Sequence, residues 1–248
     1  MLVSGNPHLQ NTTMSDLKKK AIYWRKKFDN LNCDDINTEK VHENGGWCLK
    51  DDPSSDKAAW MGARPALHHV PVDHGVASTV AKHLTSGNTR EISLIDIGAG
   101  VGQYGRYFKR NCPTINYKGF DGAGNVEQFT DNFLTWIDVT DPAFDTIGEY
   151  TADWIMSLEV GEHIPSSGTD NFISLLDRHS RKGVILSWAV VGQHGHSHIN
   201  NKDNDEVIKL FKERGYYQDD WTRKFQEEAR EKAKYWWFKK TILVFKKN

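Results

Sequence analysis

The chain has 248 residues, 38% of them apolar, with 32 Lys+Arg against 33 Asp+Glu and a formal net charge of −1. That balance excludes a basic nucleic-acid-binding module, a fibre and a disordered tail; the length fits one large α/β domain or two small ones. No apolar run approaches the roughly 20 residues of a membrane helix, and the N-terminus lacks the basic-then-apolar pattern of a secretory signal. Cys33, Cys48 and Cys112 are odd in number and form no Cys-x-x-Cys pair. This argues against a disulfide framework or a cysteine zinc site, and for a reducing, cytoplasmic location.

Residues 1–14 are polar and patternless, an expected flexible arm. Leu17, Ala21, Trp24, Phe28 and Leu31 then recur at helical spacing, with Ser15 as N-cap and lysines and Arg25 opposite. The expectation is an amphipathic helix packed on the domain with a solvated basic face. A membrane-surface or phosphate-binding role is the alternative. Turns follow at 44–46 and Asp52-Pro53, and Val76 to Leu84 fits a helix.

From Glu91 the pattern becomes regular. Strands are expected at Ile92–Ile97, Tyr117–Asp121, Phe133–Ile137, Trp154–Leu158 and Val184–Ala189. Helices are expected from the glycine loop through Tyr107, at Thr169–His179 and at about Asn204 to Arg214. Late strands near Tyr217 and at Thr241–Phe245 lie close together in sequence, which suggests an antiparallel edge pair on a mostly parallel sheet.

The segment from Asp96 through Gly98, Gly100, Gly102 and Gly105 follows a strand and opens a helix, the setting in which a ligand meets backbone at a helix N-terminus. It contains a literal Gly-x-Gly-x-x-Gly, so a nicotinamide enzyme has to be weighed. Asp96, two residues before the first glycine, would repel a pyrophosphate but suits a cationic amino-acid ligand. Asp121, 19 residues after Gly102, stands where an acid can hold a ribose diol in either case. About 90 residues precede the loop, whereas dinucleotide folds usually begin with it.

From about Gly45 to the end the chain resembles the class I S-adenosylmethionine-dependent methyltransferases. Leu94 to Gly102 looks like their first motif, Phe120-Asp121 the second, Trp136 to Val139 the adenine-flanking segment, Leu158 to Pro165 the fourth-strand motif and Lys240 to Phe245 the last strand. The resemblance implies a Rossmann-like, doubly wound α/β fold of seven strands, the last antiparallel. A helical N-terminal cap over 15–85 and a donor-binding domain over 86–248 would form one unit. It also implies S-adenosylmethionine as cofactor. Gly98, Gly100 and Gly102 would lie under the methionine and ribose, and Asp96 would order the loop or meet the ammonium. Asp121 would hold the ribose, Asp138 the adenine amine, and Val139 and Leu158 would flank the ring.

Glu159, Glu162 and His163 form Glu-x-x-Glu-His after the fourth strand, and His194, His196 and His198 follow the fifth. Both strand ends belong to the edge where ligands bind a parallel sheet. The pattern is similar to that of ubiquinone-pathway O-methyltransferases and small-RNA 2′-O-methyltransferases. By that resemblance Glu159, Glu162, His163 and His198 would hold a divalent cation, Mg or Zn, with His196 next in line. A metal-free general base or packing of the sheet end are the alternatives. Trp47, His69 and His74 precede the first strand, and with His194 and His196 are candidate acceptor contacts; ordinary core packing is the alternative for them. Trp188, Trp236 and Trp237 are expected in the core.

The leading expectation is methyl transfer to a hydroxyl of a small molecule, because no basic stripe runs through the cleft motifs. An RNA 2′-O-methyltransferase is the runner-up: from Arg223 onward nine Lys or Arg face three Glu. A small-molecule N-methyltransferase and a non-catalytic donor-binding protein complete the alternatives. The sequence leaves the oligomeric state open.

Overall fold

The computed structural model describes residues 13–33, 47–87 and 90–248, without the side chains of 29–32. Most of the expected N-terminal arm, the turn at 44–46 and the Leu31 side chain lie outside the described residues. Seven strands form one sheet: β1 (Ile92–Ile97), β2 (Ile115–Asp121), β3 (Thr135–Trp136), β4 (Ala152–Leu158), β5 (Ser180–Ser187), β6 (Tyr216–Tyr217) and β7 (Leu243–Lys247). Their order is β3-β2-β1-β4-β5-β7-β6. The pairs β1–β2, β1–β4, β2–β3 and β4–β5 are parallel; β7 runs antiparallel to β5 and β6. This is the expected doubly wound, Rossmann-like sheet with an antiparallel last strand.

The apolar runs explain the layering. β1 is buried along nearly its whole length, as a strand covered on both faces must be. Alternate side chains go to opposite layers. Leu94 joins Val80, Phe108, Met156 and Phe225 on one side, where α2 (His74–Thr85), α3 (Gln103–Asn111) and α7 (Asp220–Lys232) pack. Ile95 and Ile97 join Phe172, Leu176, Trp188 and Phe211 on the other, with α5 (Thr169–His179) and α6 (Asn204–Lys212). Trp188 is core, as expected. A third cluster unites Leu49, Trp60 and Ala66 with Val101, Phe129 and Trp136, so the segment ahead of β1 shares its interior with the sheet. That segment holds α1 (Met14–Cys33), a short 3-10 turn at Lys57–Trp60 and α2, with irregular chain between.

Two expectations are corrected here. In α1 the stripe of Leu17, Ala21, Trp24 and Phe28 is exposed, while Ile22, Arg25 and Lys26 are half-buried. The helix is held through ion pairs, Arg25 with Asp138 at 3.5 Å and Lys26 with Glu127, rather than through its apolar stripe. Its N-cap is Thr13, not Ser15: Thr13 and Asp16 exchange side-chain-to-backbone hydrogen bonds in a capping box. Second, Cys33 and Cys48 form a disulfide with a Cα–Cα distance of 5.3 Å. Sequence spacing carries no trace of this approach; beside Cys48, Leu49 pairs through both its backbone groups with the Asn125 side chain. The pairing removes the support that three free thiols lent to a reducing compartment.

Asp73 ties the N-terminal segment to the end of the chain. Fully buried, it caps α2 by accepting from the Gly75 and Val76 N–H groups, and accepts from Lys234 and Tyr235 N–H with its other oxygen. Removing it leaves four backbone donors without this partner. Asp73→Ala is expected to lower the unfolding free energy by about 2–4 kcal/mol, as read by urea titration. A loss under about 0.5 kcal/mol, the usual range of a surface change, would contradict this role.

Candidate active site

The carboxyl ends of β1, β2, β4 and β5 meet at a cavity of about 430 Å³. Beyond β1 the chain turns sharply. Gly98 and Ala99 N–H donate to Phe120 O at 2.8 and 2.9 Å, stitching the loop to β2. Gly98 has φ +73°, and a Cβ there would lie 2.2 Å from a Val160 methyl. Both the backbone and the space demand glycine. Gly100 has φ +60° and lies under the His69 ring. Gly98 and Gly100 line the cavity; Gly102 does not. It forms the N-cap of α3 with its Cα against Phe133, so its place is in the turn rather than at a ligand.

Three acids stand at this end of the cavity: Asp96 on β1, Asp121 on β2 and Asp138 just past β3. Burial pushes the Asp96 carboxyl up to about 7, against the lowering effect of the Tyr117 hydroxyl that donates to it at 2.8 Å. The hydrogen bond that orders the loop belongs to Asp121, whose two oxygens accept from Gly100 N–H and Ala123 N–H at 2.8 Å each. Burial raises the Asp121 carboxyl too, opposed by those N–H groups and by His69. Asp138 accepts from the Thr140 N–H and hydroxyl and faces Arg25 of α1. Val139 and Leu158 line the wall between.

The other end is built from the chain after β4 and β5. Glu159 takes a left-handed backbone, φ +55°, uncommon for a residue with a side chain and frequent at functional sites. Its carboxylate accepts from Gln193 Nε2 at 2.8 Å and Thr241 Oγ1 at 3.1 Å. Glu162 is fully buried and neither of its carboxylate oxygens has a hydrogen-bond partner. Burial, and then the neighbouring Glu159, push it well above the ordinary carboxylate range. His163 is lowered to about 4 by burial and then by His198, so its imidazole is neutral near pH 7. Its Nδ1 faces Ser197 O at 3.3 Å, and His198 Nδ1 faces Gln193 O at 3.0 Å. A carbonyl partner requires N–H at Nδ1 and leaves the other ring nitrogen with its lone pair, the form in which histidine binds metals.

Glu162, His163 and His198 offer ligand atoms that all lie within 4.8 Å of one another. The structure therefore brings together three of the four expected ligands. Glu159 is not one of the group, because its oxygens are taken by Gln193 and Thr241. Of the expected acceptor contacts, Trp47, His69, His194 and His196 line the cavity. Trp47 lies edge-on to His69 and His163 at ring distances of 5.4 and 5.0 Å. His74 does not line it; it sits exposed at the start of α2 against Tyr107.

Several lining residues escape sequence reasoning. His68 stacks on His196 at 3.9 Å, and Trp236, Trp237 and Phe238 form a wall. Expected in the core, Trp236 is instead 55% exposed. The only signal was four consecutive aromatics ahead of the last strand, and the anchor that turns them inward, Asp73 on Tyr235 N–H, lies 162 residues away. No lysine or arginine is among the described residues that line the cavity.

Gly98→Ala is expected to cost about 1–3 kcal/mol of stability, from the left-handed backbone and the collision with Val160. Thermal or urea unfolding reads it, and a neutral result would mean that the loop repacks freely.

No protein-family model and no curated protein matches the chain. Among solved structures it is similar to magnesium protoporphyrin IX methyltransferase from Synechocystis PCC 6803, at 18% identity over 70% of this chain and 78% of that one, TM-score 0.45. A TehB-like S-adenosylmethionine-dependent methyltransferase from Corynebacterium glutamicum is similar at 14% identity over 68% and 87%, TM-score 0.48. Haemonchus contortus phosphoethanolamine N-methyltransferase 2 is similar at 19% identity over 65% and 43%, TM-score 0.46. These are likenesses of fold.

Proposed function

We propose that the protein transfers the methyl group of S-adenosylmethionine to a hydroxyl of a small, uncharged acceptor. One observation carries the reading: the glycine loop, three aspartates, Glu159 and the His163 and His198 rings line a single cavity at the carboxyl edge of the sheet, with the buried Glu162 behind those rings. The glycines let a ligand lie on backbone, and the acids suit a ligand with a positive amino end and a ribose. Asp96, raised to about 7, keeps much of its proton in the free protein and becomes a carboxylate when an ammonium arrives. Asp121, already fixed by two N–H groups, retains lone pairs for ribose hydroxyls. Asp138 and Val139 would edge the adenine.

The reaction is an in-line displacement. The acceptor oxygen forms a bond to the methyl carbon, the carbon–sulfur bond breaks with its electrons going to sulfur, and the acceptor proton must leave. In the metal-free form of this reading, the unprotonated ring nitrogen of His163 takes that proton. The residues also fit a divalent cation: two buried Glu162 oxygens lack any partner, and the His163 and His198 rings stand beside them. Glu162, His163 and His198 would hold such an ion, which lowers the pKa of a nearby acceptor hydroxyl. Without lysine or arginine in the lining, a run of phosphates finds no partner there, which favours a small acceptor over RNA. Trp47 and Trp236 line the cavity and suit an acceptor that is itself flat.

Two experiments test this reading. Affinity for S-adenosylhomocysteine, by calorimetry, should improve as pH rises through about 7. The sign follows from Asp96: below its raised pKa the carboxyl is protonated in the free protein, so binding the ammonium must first expel that proton. Asp96→Asn should flatten the profile, and Asp121→Ala should weaken binding by about 1.5–3 kcal/mol, roughly tenfold or more. Unchanged affinity in both variants would refute the donor site. Second, EDTA should abolish methyl transfer to a panel of phenols and alcohols while leaving S-adenosylhomocysteine binding intact. Turnover that resists EDTA but is lost in His163→Ala assigns a metal-free base. Turnover that survives both makes the cluster packing.

A further inference from the structure

We infer that α1 docks the protein on a bilayer surface that carries anionic headgroups. Met14 is 81% exposed, Leu17 51%, Trp24 53% and Phe28 57%. Ala21 is exposed as well. At about 100° per residue these five side chains fall within an arc of about 80°, one continuous stripe along the helix. The side that meets the domain is a different one, formed by Ile22, Arg25 and Lys26. A helix that packed on its own domain in the ordinary way would bury the stripe; this one leaves it in water.

The charges bordering the stripe identify the partner. Lys20 and Lys27 flank it on one side and Lys18 on the other, all three exposed and without an ion pair among the described residues. Lys27 lies 5.2 Å from the Trp24 ring, following the stripe rather than turning away from it. The helix as a whole carries six Lys or Arg against two Asp, in a chain whose net charge is −1. Hydrocarbon beneath a layer of anionic headgroups complements that arrangement from both sides at once: Trp, Phe and Leu enter the acyl boundary while the lysines stay at headgroup level. The helix lies on the surface and does not cross it, since no helix among the described residues is long and apolar enough to span. Arg25 and Lys26 fasten α1 to Asp138 and Glu127, so docking brings the Asp138 rim of the cavity to the bilayer. The inference stands independently of the reaction proposed above.

Co-sedimentation with vesicles tests it. The wild-type protein should pellet with phosphatidylcholine vesicles containing phosphatidylserine, and roughly tenfold less with phosphatidylcholine alone. Trp24→Ser with Phe28→Ser, and separately Lys18→Glu with Lys20→Glu and Lys27→Glu, should each lose binding roughly tenfold or more. None of these side chains lines the cavity, so the melting temperature and its shift by S-adenosylhomocysteine should stay at wild-type values. Absence of wild-type binding to the anionic vesicles overturns the inference, as does undiminished binding of the Trp24/Phe28 variant. A lipid-free dimer, seen by sedimentation and abolished by the same two serines, would place a second copy on the stripe and overturn it equally.

Discussion

Everything in this molecule that carries chemistry depends on the burial of β1 on both faces. Ile92, Leu94, Ile95 and Ile97 have no solvent face to turn to, so the strand takes the middle of the sheet with β2 and β4 as parallel neighbours. Parallel neighbours put their carboxyl ends on one edge. The glycine loop after β1, Asp121 at the end of β2 and the Glu159 corner after β4 are brought together by that pairing. The chain near the C-terminus is recruited to the same edge by Asp73, which links the start of α2 to the backbone of Lys234 and Tyr235.

The second theme is uncompensated negative charge. Asp96, Asp121 and Asp138 are buried and Glu159 is half-buried around one cavity without a lysine or arginine among its described lining residues, and Glu162 is buried close behind it. Of these, Asp138 faces the Arg25 guanidinium. Burying carboxyls is costly unless they are neutralised or paired. The raised Asp96 and Glu162 values are that cost expressed as retained protons. The function proposed above places cations against that charge, an ammonium or sulfonium at one end and a divalent ion at the other. The Glu162 oxygens have no hydrogen-bond partner, and beside them the His163 and His198 rings are pinned through Nδ1 to Ser197 O and Gln193 O.

How much of this was legible in the sequence differs by element. Where local pattern and tertiary role agree, the reading reached the residue: β1 at Ile92–Ile97 and α5 at Thr169–His179 coincide with the expectation, because their apolar periods are bounded by clear breaks. β3 shrinks to Thr135–Trp136, since an edge strand ends where its partner β2 ends, which no local pattern encodes. The stripe of α1 was legible and its orientation was not, because two ion pairs to distant acids outweigh it. Glu159 shares a motif with Glu162, but its corner conformation turns its carboxylate to Thr241 and Gln193. The Trp236 wall and the Cys33–Cys48 bond depend on contacts between segments far apart in the chain or on strand geometry, and had no local sign.

In the proposed function, the donor loop and the acid–imidazole cluster work in one cavity. Amide hydrogen exchange with and without S-adenosylhomocysteine tests it most directly. Slowed exchange is expected at the Asp96–Gln103, Asp121–Ala123 and Asp138–Thr140 segments, with smaller effects at Glu159–His163 and none on the exposed half of α7. Protection confined to other segments, or no protection at saturating ligand, would contradict it.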